Sequence, residues 1–227
     1  MVRLISALAL AFLVTLPRGH DHATLHAEGI GQITVRSSFP VGGFPTARFQ
    51  DKFGRVLYSM PVGSSRPDIF RIDEAPPHKF KNLGPSTLVF FLINSKSLPD
   101  SVLAIAMYTG GSDCEYVPAL VGPVGSKLSS WLQQQPVVNG QGGFYVGDLG
   151  QHRGFGLAAW TFIWEDGAHW GSHRYNVRLY RIDGKSGASA EIFSADTKRK
   201  YDTGAAALKE LGLQFDNILS NSPELKC

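Results

Sequence analysis

Short strand-like runs separated by turn residues mark most of the hydrophobic and polar pattern of this chain, and a helical spacing shows near its end. Residues 32–36 (Gln-Ile-Thr-Val-Arg) alternate strictly, which predicts a strand with one buried face. Residues 47–50 and 55–60 flank Asp51-Lys-Phe-Gly54 and predict a hairpin, with Gly54 supplying the positive φ that such a turn needs. Residues 86–94 hold a continuous apolar run, the pattern of a strand covered on both faces. Residues 101–108 follow closely and are expected to pair with that run. Gly110 to Cys114 reads as a turn-rich tip.

Residues 118–142 read as irregular, because Pro118, Pro123, Pro136 and the run Gln133-Gln-Gln interrupt any period. Within them, residues 127–132 are expected to form one short helical turn. Residues 142–147 begin another strand. The clearest strand covers residues 154–165, and it returns through the turn 166–172 into residues 173–182 as a long hairpin. Asp183-Gly184 turns the chain again, and residues 190–194 suggest the next strand.

Near the end, Asp202 or Thr203 can cap residues 204–211. The alanines and the spacing of Leu208 and Leu211 favour a short amphipathic helix, with Gly212 just past its end. No repeat recurs at a fixed period, which disfavours a propeller or solenoid. The predicted fold class is mainly β: one antiparallel β-sandwich-like domain over residues 28–227, closed by a short C-terminal helix.

The amino terminus departs from this pattern. Arg3 precedes an uncharged, mostly apolar run over residues 4–16, and Pro17 ends it. The run is shorter than the roughly 20 residues of a membrane span but suits a secretory signal peptide. Residues 1–27 are therefore expected to be a signal sequence, with Ala27, Ala23 and Gly19 as candidate last residues. Cleavage after Ala27 would remove His20, His22 and His26. No later run is long enough to span a membrane. The expected location is periplasmic or secreted.

Composition narrows the function classes. The 227 residues are 43% hydrophobic, which excludes wholesale disorder, and 18% charged, below the usual share. Loss of Arg3, Arg18 and Asp21 with residues 1–27 would lower the formal net charge from +3 to +2. That balance is too small to argue for nucleic acid as a partner. Cys114 and Cys227 are the two cysteines, and in an oxidising compartment such a pair is expected to bond.

Chemistry is sparsely signalled. The chain has no Gly-x-Ser-x-Gly elbow, no His-Glu-x-x-His, no P-loop and no dinucleotide fingerprint. Trp160, Phe162 and Trp164 share one face of the long hairpin, as a stacking platform for sugar rings or, more commonly, as core. Trp131 and Trp170 fall in expected loops and are the better candidates for exposed rings. Glu165, Asp166, His169 and His173 cluster at the hairpin tip, and Glu165, His169 and His173 carry the ligand chemistry of a zinc-type site. Asp148 stands alone in its turn, too few carboxylates for calcium. Arg174, Asn176 and Arg178 alternate along the second hairpin strand as a basic face. With Trp170, Arg174 and Arg178 form the candidate ligand-binding set.

These observations point to an exported, non-enzymatic β-domain that binds an envelope protein or polysaccharide, with no resident cofactor. The alternative is an exported hydrolase acting on glycan or peptide, using Asp148, Glu165 and Asp166 near Trp160 and Trp164.

Overall fold

The computed structural model describes residues 22–27, 30–38, 46–61, 69–72, 88–93, 98, 102–110, 115–125, 127–132, 136–138, 142–164 and 171–215. Cys114, Cys227, Glu165, Asp166, His169 and Trp170 lie outside the described residues, as do residues 1–21.

Among the described residues, thirteen strands form three sheets, and one helix follows them. The first sheet is an antiparallel meander of β1 (His22–Ala27), β2 (Gly31–Ser38), β3 (Thr46–Asp51) and β4 (Val56–Pro61). The second runs in the order β5 (Ile69–Ile72), β6 (Leu88–Ile93), β7 (Val102–Gly110), β8 (Glu115–Val124) and β9 (Lys127–Ser130). Its β5–β6 pair is parallel and the rest antiparallel. The third is a meander of β10 (Gly143–Asp148), β11 (Phe155–Phe162), β12 (Tyr175–Ile182) and β13 (Ser189–Asp196). Helix α1 spans Gly204–Glu210.

The mainly β, sandwich-like fold agrees with the hydropathy pattern, with three stacked sheets where a simple sandwich has two. Alternation on the second sheet explains the stacking. Leu103, Ile105, Ala119 and Val121 face Ile33, Val35 and Phe49 of the first sheet. The intervening Val102, Ala104 and Leu120 face Phe144, Leu157 and Ile182 of the third. Successive strand residues point to opposite faces, so a strand apolar at every position is one buried on both sides. The third sheet repeats the device: Ala158, Trp160, Val177 and Leu179 turn away from the second sheet and pack against Ala207, Leu208 and Leu213 around the helix.

The predicted hairpins over residues 47–60 and 154–182 form, with Phe49 opposite Tyr58 and Trp160 opposite Val177. The pairing of residues 88–93 with 102–107 also forms. Thr203 caps the helix by accepting from the Ala206 N–H, and Gly212 follows at φ 69°.

The irregular reading of residues 118–142 is corrected. Pro118 and Pro123 both lie inside β8, and residues 127–130 form β9 instead of a helical turn. The pairing explains why proline is tolerated. Pro118 pairs with β7 beyond the reach of β9, and Pro123 pairs with β9 beyond the end of the β7 register. Each proline therefore has a ladder side on which a missing N–H costs nothing.

Trp131 is also corrected, from an exposed loop ring to one 1% exposed between two sheets. Its backbone N–H donates to the Leu120 carbonyl at 2.8 Å. Its ring lies against Gly122 on one strand and Gly187 after β12, so closely that a Cβ on either would fall 2.3–2.5 Å from ring atoms. Only glycines admit the indole there.

Candidate functional site

Residues at three strand connections converge beside the first and second sheets. The β1–β2 connection contributes His26, Ile30 and Gly31. The β3–β4 turn contributes Asp51, Lys52, Phe53 and Arg55, and the β8–β9 turn contributes Pro123, Gly125 and Lys127. Together they surround a cleft of about 460 Å³. Binding sites favour such loops because a rigid scaffold positions them while their side chains remain open to solvent.

The β3–β4 turn is built by Asp51. Its Oδ1 accepts from the Phe53 and Arg55 N–H groups, both at 2.9 Å, and its Oδ2 accepts from Arg55 Nε at 3.0 Å. The Asp51 carboxyl lies below the ordinary carboxylate range. Desolvation opposes that shift as the largest single influence, and the backbone N–H bonds and the Arg55 guanidinium together outweigh it. Gly54 closes the turn at φ 80°. The geometry spends the carboxylate within the turn and pushes the next side chain outward. Phe53 is 81% exposed, the most exposed large apolar side chain among the described residues. The Lys52 ammonium sits 4.9 Å from the centre of its ring.

The cleft combines fixed positive charge with apolar wall. Lys52, Arg55 and Lys127 line it, against Asp51 as the sole carboxylate among its described lining residues. Ile30, Leu57, Pro123 and Leu128 supply the apolar surface. Such an arrangement suits a ligand that is anionic and carries an apolar face. It contains no paired carboxylates and no nucleophile–base pair among the described residues.

The predicted sites fall elsewhere. His173 is buried at the base of the long hairpin, its ring stacked 4.5 Å from Phe162 and edge-on to Trp164 at 6.3 Å. Its backbone forms a two-bond bridge with Tyr201. The other two residues of the metal trio, Glu165 and His169, lie outside the described residues. No group of three His, Cys, Asp or Glu side chains suited to a metal converges among the described residues. Of the aromatic face, Trp160 and Phe162 are core, while Trp164 is 42% exposed and touches Phe162 edge-on at 4.7 Å. Asp148 pairs across from Phe155, whereas Trp160 pairs with Gly143 at the other end of β10. Asp148 thus stands at the far end of β11 from Trp164, and its Oδ1 accepts from the Gly150 N–H in a turn.

The basic strand face is balanced by its neighbour. Arg174, Asn176 and Arg178 do alternate against buried Tyr175, Val177 and Leu179. However, β13 sets acids beside them. The Asn176 side-chain amide donates to Asp196 at 2.7 Å, Arg178 Nε donates to Asn176 Oδ1 at 3.1 Å, and Arg178 lies 3.9 Å from Glu191. The Arg178 guanidinium is held above its ordinary value, first by its hydrogen bond with Tyr180 and then, against desolvation, by Tyr180, Glu191 and Asp196. A small cleft of about 160 Å³ beside it is lined by Asn176, Arg178, Thr161 and Val137. No helix among the described residues is long and apolar enough to cross a membrane.

No family model, curated protein or solved structure matches this chain.

Sequence reading passed over Lys52, Phe53, Arg55 and Lys127. Locally, Asp51-Lys-Phe-Gly54 carried the signal: an exposed Phe at a turn tip between cations is an uncommon use of a large apolar side chain. Lys127 carried none, because its place beside Phe53 depends on how two sheets stack.

Proposed function

We propose that this protein is an exported, non-enzymatic β-domain that binds an acidic component of the cell envelope in the cleft between its first two sheets. The observation that carries this reading is the exposed Phe53, set among Lys52, Arg55 and Lys127 while Arg55 and backbone N–H groups occupy the Asp51 carboxylate. Cations left available around an apolar wall attract and orient an anionic partner.

Export rests on the amino-terminal pattern. All six residues of β1 pair with β2, so cleavage after Gly19 would keep this strand and His26 in the mature chain, whereas cleavage after Ala27 would remove both. Mass spectrometry of exported protein reads the cleavage point directly.

The binding reading is tested by titrating the purified protein with a panel of soluble polyanions and neutral dextran. Retention by at least one polyanion, lost as salt rises past the Debye regime of about 10 Å at 0.1 M, is expected. Equal binding to dextran, or no binding to any polyanion, removes the reading.

A further inference from the structure

The chemistry of the cleft is more specific than its charge. Lys52 and Lys127 provide donors for separate anionic groups while Arg55 Nε is held by Asp51 at 3.0 Å, and no backbone nest or helix end concentrates the cations on one point among the described lining residues. Ile30, Leu57, Pro123 and Leu128 make an adjoining wall that a bare phosphate chain would leave uncovered. Phe53 adds a planar apolar surface at the rim, 81% exposed and held outward by a turn with hydrogen bonds to the Asp51 carboxylate at 2.9 Å. A volume of about 460 Å³ is on the scale of small-ligand sites, a short stretch of polymer instead of a broad surface.

A pyranose ring carrying a carboxylate meets each of these demands. Its axial C–H groups form an apolar face that can stack on an aromatic ring, and its carboxylate is acceptor-only. Successive acidic sugars present one such charge per ring, matching dispersed cations better than a phosphate cluster does. An acidic peptide offers carboxylates on flexible stems without a rigid apolar face, and ordering those stems costs side-chain entropy.

From this we infer that the ligand is a uronate-containing polysaccharide, with a sugar ring stacked on Phe53 and carboxylates held by Lys52 and Lys127. The inference rests on the proposed binding function of the same cleft.

The test is calorimetric titration of the full exported chain and its Phe53→Ala and Lys127→Ala variants. The probes are oligogalacturonate, its methyl ester, polyglutamate, polyphosphate, single-stranded DNA and phosphatidylglycerol vesicles. Oligogalacturonate is expected to bind, and its neutral methyl ester to bind at least about tenfold more weakly. Each substitution is expected to weaken oligogalacturonate by roughly five- to tenfold, with thermal melts unchanged because both side chains are exposed. Tighter binding of polyglutamate, polyphosphate, DNA or vesicles, or an unchanged affinity in Phe53→Ala, overturns the uronate inference and leaves a polyanion-binding cleft. Failure of every polyanion overturns both.

Discussion

Around α1 several polar side chains bond to the backbone of the fold, whereas around the cleft the lysines face solvent. Glu210 shows the first case. Its carboxylate accepts from the Lys198 and Arg199 N–H groups and, at 2.6 Å, from the Tyr201 hydroxyl. Thr197 accepts from the Tyr175 N–H and donates to the Arg199 carbonyl, both at 2.9 Å. Beneath them, Tyr145 stacks on Phe215 at 4.7 Å, and the Tyr175 phenol is pushed up to about 12 by burial, with Asp202 adding. The cleft has one such self-contained device, the Asp51 turn, which holds Arg55 and turns Phe53 outward with Lys52 over its ring. A side chain that satisfies a buried backbone group stabilises the native state, whereas an exposed cation adds little until a partner arrives. The difference separates an end whose polar groups serve the fold from an end open to solvent, the one proposed to bind.

The sharpest way to break this comparison is at the packing that joins the ends. Trp131→Ala removes a fully buried indole between the second and third sheets and is expected to cost about 3–5 kcal/mol in urea unfolding. Gly122→Ala forces a Cβ into that indole and is expected to cost roughly 1–3 kcal/mol. A near-neutral result for either would mean that the sheets do not stack through Trp131.

The helix end predicts smaller losses. Thr203→Ala deletes the cap donor–acceptor contact and is expected to lower stability by about 1 kcal/mol. Glu210→Gln is expected to destabilise at neutral pH, and the loss should fade in acid. The Glu210 carboxyl is held below the ordinary glutamate value, first by the Tyr201 hydroxyl and then by the Lys198 N–H. Its contribution is therefore complete above an unfolded-state value of about 4.3 and disappears as pH falls through the lower folded-state value. Melts of wild type and Glu210→Gln from pH 3 to 7 should converge at the acid end. A gap that widens in acid would reverse the sign of this linkage.

The smallest stability effect is expected at the cleft. Lys52→Ala and Lys127→Ala should each change unfolding free energy by no more than about 0.5 kcal/mol while weakening polyanion binding. If both variants unfold early and bind normally, the cleft belongs with the helix end as architecture.

The comparison also marks what could be read along the chain. Hairpins, the helix and its Thr203 cap were legible because each depends on neighbours within a few residues: period, turn chemistry and a capping hydroxyl. Pro118 and Pro123 misled the reading of β8, since their tolerance depends on which side of the strand has a partner at that register. Trp131 misled it for a related reason. The two glycines that admit its ring stand at positions 122 and 187, one in β8 and one in the connection after β12, and no local pattern links them.

By itself, then, the sequence determined a β-rich chain of successive hairpins with one terminal helix, because short-range periodicity and turn residues decide those elements. It also predicted a strand covered on both faces, but at residues 86–94; the described side chains show such double cover at Val102 to Ile105 of β7. The tertiary structure alone decided that three sheets stack, that Glu191 and Asp196 offset the basic face of β12, and that the cleft exists. His26, Phe53 and Lys127 are brought together by sheet stacking, a long-range packing choice that buries apolar faces and leaves the loop positions to follow.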